Sequence, residues 1–336
     1  MSKFKMDITL SKNLFKNEPK KEIIYFSRSS LNYADEIFFD KNIISLVGSR
    51  TNHIKTNDIL ETINSTFYNC MIKALLFVYF KKGPFHVELI TINIDDSEQK
   101  SYEAKEIKQV FIKDKLLEIN PDKLFSTKKI SDIVMNSLMY LTLSFSDSDL
   151  IFDYTWKCFN ALIKKIFDKE HDFDMLKELR IDIEHNPQFY PNILLFSKDI
   201  DCDYLNQCFF NAMICNNYPR GNCKRLPDFF KDFNDVRVLK ILYEKIKSKK
   251  DDLTSMGEYE SIVSLYESKI KENNNKDSDI IRIIILKYAY YLRCKYFHGE
   301  KSPANFLIKN MNYKELFRIS KPLSIICKDL IENKLE

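Results

Sequence analysis

The sequence predicts a mainly α protein in two parts, a small α+β domain over residues 1–125 and an all-helical domain over 126–336. Three observations carry this. Short apolar runs with β-type alternation are confined to the first 125 residues, and beyond Pro121 apolar residues recur instead at steps of three and four. Only five of the 336 residues are glycine, which suits long helices more than tight turns. An apolar fraction of 45% supports a packed core in each part, so disorder is not expected.

In chain order, Glu22–Phe26 and His86–Ile94 read as strands, the second with partial alternation, and Gln109–Ile112 as a further short strand. Between the first two, Asn57–Phe80 carries a helical pattern that stops at Lys81-Lys82-Gly83-Pro84. After Pro121 a periodic helix is expected over 131–143, followed by a polar break at Ser144–Asp149 rich in N-capping residues. The next helix places Phe152, Trp156, Phe159, Ile163 and Ile166 on one stripe. Further helices are expected around 173–184, 203–215, 235–249 and 258–271, then a polar linker at Glu272–Ser278. From Asp279 a strongly apolar helix runs toward His298, and a last helix covers about 313–333 with a kink at Pro322. No internal repeat is present.

Composition removes several function classes. The glycines are too scattered for a G-x-G-x-x-G turn, a Walker A loop or a nucleophile elbow, which disfavours dinucleotide, P-loop and serine-hydrolase chemistry. The eight cysteines form no C-x-x-C pair, and Cys202, Cys208, Cys215 and Cys223 are too loosely spaced for a zinc ribbon. No signal peptide opens the chain, and no run approaches the ~18 apolar residues of a bilayer span. Reduced thiols, a cytoplasmic location and no membrane partner are therefore expected.

The formal net charge of +4 is mild, but its distribution is uneven. Between Asn217 and Lys250 ten basic residues stand against four acidic ones, interleaved with Tyr218, Phe229, Phe230, Phe233 and Tyr243. Cations between aromatics suit single-stranded nucleic acid, with Arg220, Lys224 and Arg225 as candidate phosphate contacts. The alternative is a solvated Lys-rich helix with its own core aromatics.

The chemistry is expected in Tyr290-Tyr-Leu-Arg293-Cys294-Lys295-Tyr-Phe297-His298-Gly299-Glu-Lys301. An Arg and a His four to six residues apart are a weak signal alone: nine Arg and five His give about 0.4 such pairs by chance. A second match, Arg180–His185, exists, but Asp182 and Glu184 lie between its members and would repel a phosphate. In the first match, Gly299 can adopt the left-handed conformation that closes a helix. Residues five apart lie about 140° apart around a helix, so ending it at His298 frees the imidazole to turn toward a substrate held by Arg293.

This segment resembles the Arg-x4–6-His signature of the HEPN superfamily, and within it a bacterial subset associated with toxin systems and phage defence whose helices end in Arg-Cys-Asn-Leu-Phe-His-Gly. Arg293, Cys294, Phe297, His298 and Gly299 match; Lys295 stands where that subset has Asn, and Cys294 where many members have Asn or Asp. The helix with Phe152, Trp156 and Asn160 is similar to the first helix of such domains, and the resemblance spans roughly 130–335. It implies a HEPN-like helical bundle acting as an endoribonuclease with no metal and no cofactor. His298 would move the proton of a ribose 2′-OH attacking the adjacent phosphorus, and Arg293 would hold the phosphate. It further implies RNA as substrate, a homodimer with both motifs in one cleft, and an antitoxin or defence-system partner.

A homodimer also follows from the apolar surface of Ile280, Ile281, Ile283, Ile284, Ile285 and Leu286, which a second copy would help cover, with an interface including Arg293 to Glu300. Three other readings stand beside the nuclease: a HEPN-like module that binds RNA or nucleotide or dimerises without cutting; a hydrolase using metal held by acids such as Asp147/Asp149, Asp182/Glu184/His185 or Asp199–Asp203; and a ligand sensor in residues 1–125, where His53 and His86 are the only histidines.

Overall fold

The computed structural model describes residues 2–28, 31–50, 65–95, 98–126, 128–219, 223–299 and 314–335. Helix predominates, and an antiparallel sheet precedes the helical region, in keeping with the predicted class. Contacts divide the chain into two compact units, 1–162 with 335–336, and 163–334. The composition change near residue 125 thus falls inside the first unit, and the region resembling HEPN domains is shared between the two.

In the first unit six strands, β1 (Ser2–Leu10), β2 (Phe15–Arg28), β3 (Leu31–Lys41), β4 (Ile43–Arg50), β5 (Val87–Ile94) and β6 (Glu98–Glu103), form one sheet in the order β2-β3-β4-β1-β5-β6. Every described pairing is antiparallel. Strict alternation makes β1 the centre: Phe4, Met6, Ile8 and Leu10 point to the core. Helix α1 (Thr66–Lys82) starts where Ser65 Oγ accepts the Tyr68 N–H at 3.0 Å and stops at Gly83, whose φ is +98°. The predicted stop is met; the residues before Ser65 in the predicted helix, and His53, lie outside the described residues.

Gln109–Ile112 forms no strand, contrary to expectation. The Gln109 side chain occupies the place of a strand neighbour instead: its Oε1 accepts the Val87 N–H at 3.0 Å and its Nε2 donates to Val87 O at 2.8 Å. One amide side chain thus satisfies the Val87 backbone beyond the end of the β5–β6 ladder, which begins at Leu89. Helices α2 (Lys128–Ser146) and α3 (Ile151–Phe167) follow, and the predicted stripe on α3 is buried at Phe152, Trp156, Phe159 and Ile163.

In the second unit the helices are α4 (Asp172–His185), α5 (Pro191–Lys198), α6 (Cys202–Asn206), α7 (Phe210–Asn217), α8 (Arg225–Lys231), α9 (Val236–Ser248), α10 (Lys250–Ser255), α11 (Tyr259–Glu272), α12 (Asp277–Ile281), α13 (Tyr290–Phe297) and α14 (Lys314–Asp329). The single helix expected over 203–215 is two short ones, because the Phe209 N–H donates to Tyr288 Oη at 2.8 Å instead of to a helical carbonyl. Between α12 and α13 the helix widens into a π-helical stretch, Arg282–Ala289, without interrupting its course.

Ile280, Ile281, Ile283, Ile284, Ile285 and Leu286 are all buried within a single chain, by packing that includes α4, α5 and α14. The unit's own helices thus cover this surface, and it leaves no apolar face for the second copy that was expected to help cover it. One buried carboxylate near it is tied to backbone: Asp329 accepts the N–H groups of Asn192 and Ile193.

Candidate active site around Arg293

Helix α13 inherits its direction from the buried 280–289 stretch and carries the motif at its free end. Tyr291 and Leu292 are buried anchors, and exposure rises from Arg293 onward until Phe297, His298 and Gly299 are exposed. The helix closes as the sequence predicts. His298 N donates to Cys294 O and Gly299 N to Tyr296 O, both at 3.2 Å, and Gly299 has a φ of +68°. His298 itself has φ −92° and ψ 8°, outside the helical well, and the helix ends there.

Arg293 is anchored by a carboxylate that the sequence reading missed. Its Nη2 lies 3.2 Å from Asp172 Oδ2, at the first turn of α4. Its Nε is buried without a hydrogen-bond partner, and its guanidinium lies 5.7 Å from the centre of the Phe297 ring. Cys294 Sγ lies 4.0 Å from Arg293 Nη1, and Cys294 is hydrogen-bonded to Tyr290. Burial and the neighbouring Cys294 push the Tyr290 hydroxyl above its ordinary range. Lys295 is half-buried on the same turn. Nothing local to Arg293 announces Asp172, which stands at the start of a helix far away in sequence.

The second Arg–His pair is engaged elsewhere. Arg180 pairs with Asp232 at 3.3 Å and Glu184 at 3.8 Å, and His185 Nδ1 meets Ile181 O at 2.8 Å. The acids considered as metal ligands have structural partners too. Asp182 accepts from Tyr190, Asn186 and Lys334. Burial pushes its carboxyl up, but these bonds outweigh it and hold it below the usual range. Asp201 caps α6 through Tyr204 N at 2.8 Å, and Asp147 accepts Asp149 N at 3.0 Å.

The basic window is only partly available to a ligand. Phe229, Phe230 and Phe233 are buried core residues, so the expectation that they interleave with cations for base stacking is corrected. Arg237 is spent on Asp235 and Asp277 and on the carbonyls of Ser197, Lys198 and Ile200. Lys249 is buried between Tyr218 O and Asp252. Lys224 and Arg225 are exposed at the start of α8; Arg220 lies outside the described residues, as do Glu300 and Lys301. Compared with protein-family models, with curated proteins and with solved structures, the chain has no significant match.

Proposed function

We propose that this protein is an endoribonuclease of HEPN type in which Arg293 and His298 cut RNA without a metal. The observation that carries the reading is the end of α13: an exposed His298 outside the helical well, five residues after an Arg whose guanidinium is held in place. His298 removes the proton of a ribose 2′-OH, and the oxygen attacks the adjacent phosphorus. The 5′-oxygen of the next nucleotide leaves and takes up a proton. The products carry 2′,3′-cyclic phosphate and 5′-hydroxyl ends. Imidazole catalysis of this kind is worth about 10²–10⁴ in rate. Arg293 neutralises the developing charge, exchanging its bond to Asp172 for one to the phosphate or using its unpartnered Nε.

Lys224 and Arg225 are candidates for holding the flanking strand. The resemblance adds a cytoplasmic toxin or antiviral defence role with an antitoxin-type partner, and a pair of copies sharing one cleft. The second reading, a HEPN-like RNA-binding or dimerisation module that does not cut, is favoured by one observation: Arg293 already has a carboxylate partner.

End-labelled single-stranded RNA incubated with the protein in EDTA separates the two. The nuclease reading expects cleavage to cyclic-phosphate ends, at least 100-fold slower in His298→Ala and in Arg293→Ala. Binding of RNA by the wild type with no cleavage would leave the binding module.

A further inference from the structure

A pocket of about 510 Å³ lies in the helical unit, within the ~300–1,000 Å³ common for small-molecule sites. Its lining is strongly basic: Lys177, Arg180, Arg225, Arg282 and Lys287 stand against two carboxylates, Asp228 and Asp232. Asp232 is already committed. It pairs with Arg180 at 3.3 Å and also with Arg282, whose Nη1 donates to the Asp232 backbone carbonyl at 2.6 Å. The Arg282 side chain is only 3% exposed, and its Nε has no hydrogen-bond partner.

Lys287 and Arg225 have no hydrogen bond or ion pair among the described residues. Burial, then the charges of Arg282, Arg180 and Arg225, push the Lys287 ammonium down to about 8. A lysine in that position is destabilised by its own surroundings, and a neutral side chain would fill the same place without that cost. Five cations against two carboxylates leave an excess of positive charge that an anion would balance. The uncharged part of the lining includes the rings of Phe173, Tyr218 and Tyr290, and Phe173 is 64% exposed. Rings beside cations serve a ligand with an aromatic face as well as a phosphate.

We propose that this pocket binds a nucleoside phosphate, with the phosphate on Arg225 and Lys287 and the base against the aromatic lining. Two sources have this chemistry: a free nucleotide, or one nucleotide of an RNA strand. Only the second rests on the ribonuclease reading. Tyr290 lines the pocket one helical turn before Arg293, so a strand held here would continue toward the motif.

Calorimetric titration of the full chain in a His298→Ala background keeps any RNA uncut. The ligands are adenosine 5′-monophosphate, adenosine, inorganic phosphate and an eight-nucleotide oligo(A) RNA. The proposal expects the monophosphate or the RNA to bind, adenosine and inorganic phosphate each to bind at least 10-fold more weakly, and Arg225→Gln with Lys287→Gln to cost at least 10-fold. Arg225 is exposed, so Arg225→Gln alone gives a folded variant if the double one is unsound. Tight binding of the monophosphate assigns the site to free nucleotide, and binding of the RNA alone assigns it to a strand. The proposal is overturned if neither binds, if adenosine or inorganic phosphate binds as well, or if the variants bind like the parent. These outcomes do not depend on cleavage, so the ribonuclease reading can fail while this one stands.

Discussion

Cations drawn out of solvent in the two units are treated differently. In the sheet unit, Arg50 meets the fully buried Asp35 through two parallel bonds of 2.7 Å and donates to Thr66 Oγ1, with Phe67 4.3 Å from its guanidinium. Lys73, 1% exposed, pairs with Asp132 at 2.8 Å. In the helical unit, Arg282 shares Asp232 with Arg180 and lies 3.9 Å from Asp279, whereas the half-buried Lys287 beside it has no hydrogen bond or ion pair among the described residues. This is not a general habit of that unit, because Arg237 there is fully answered by Asp235 and Asp277. Compensated charge is architecture; uncompensated charge, costly to keep, is where a ligand belongs.

The comparison breaks first at Asp35. Gly48 is glycine because a Cβ there would meet Asp35 Oδ1 and, at 2.6 Å, the Phe4 ring, so the backbone closes over the pair. Burial raises the Asp35 carboxyl above the usual range while the bond and charge of Arg50 pull it back. Asp35→Ala leaves the guanidinium facing a void in the core. Loss of one partner of a buried pair costs about 3–5 kcal/mol, and urea unfolding should show it. A loss under about 1 kcal/mol would mean that the pair behaves as a surface ion pair and the contrast fails.

Lys287 should respond with the opposite sign. Its ammonium titrates at about 8 in the fold against 10.5 ordinarily. Between those values the unfolded chain holds a proton that the folded chain lacks, so stability rises with pH across the window and is lowest below about 8. The groups that face it are Arg282, Arg180 and Arg225, and burial also pulls the Arg282 guanidinium down, to about 9, which adds to the same rise. Lys287→Met should therefore stabilise the protein at pH 7, by about 1–3 kcal/mol, and flatten the rise between pH 8 and 10. If the variant is less stable than wild type at pH 7, the lysine has a partner and the pocket is not short of negative charge.

How far the sequence could reach follows from the same residues. Periodicity found α3, α9 and α11 because one face of each is buried, and Gly299 and Gly83 marked two helix ends through conformations that other residues avoid. It missed β1, β3, β4 and β6, although Phe4, Met6, Ile8 and Leu10 alternate cleanly with polar residues along β1. Asp172 could not be read, because its partner Arg293 is distant in the chain and only the fold joins them. Arg282 and Lys287 were visible as charges interrupting an apolar helix, and their meaning came only with the burial around them. The resemblance at Arg293–His298 speaks to chemistry and is silent on this pocket.

The smallest expected effect is the most discriminating. Arg225 lies at the exposed start of α8, with no hydrogen bond or ion pair among the described residues, so the fold gains nothing from its charge. Exposed substitutions of this sort usually stay within about 0.5 kcal/mol, and Arg225→Gln should leave the urea midpoint and its slope where they are. Asp35→Ala changes stability because a buried pair is broken, and Lys287→Met because a half-buried, unpaired charge is relieved. Arg225→Gln should change only what the pocket binds. A drop in stability as large as that from Asp35→Ala would move Arg225 from the ligand's side of the comparison to the architecture's.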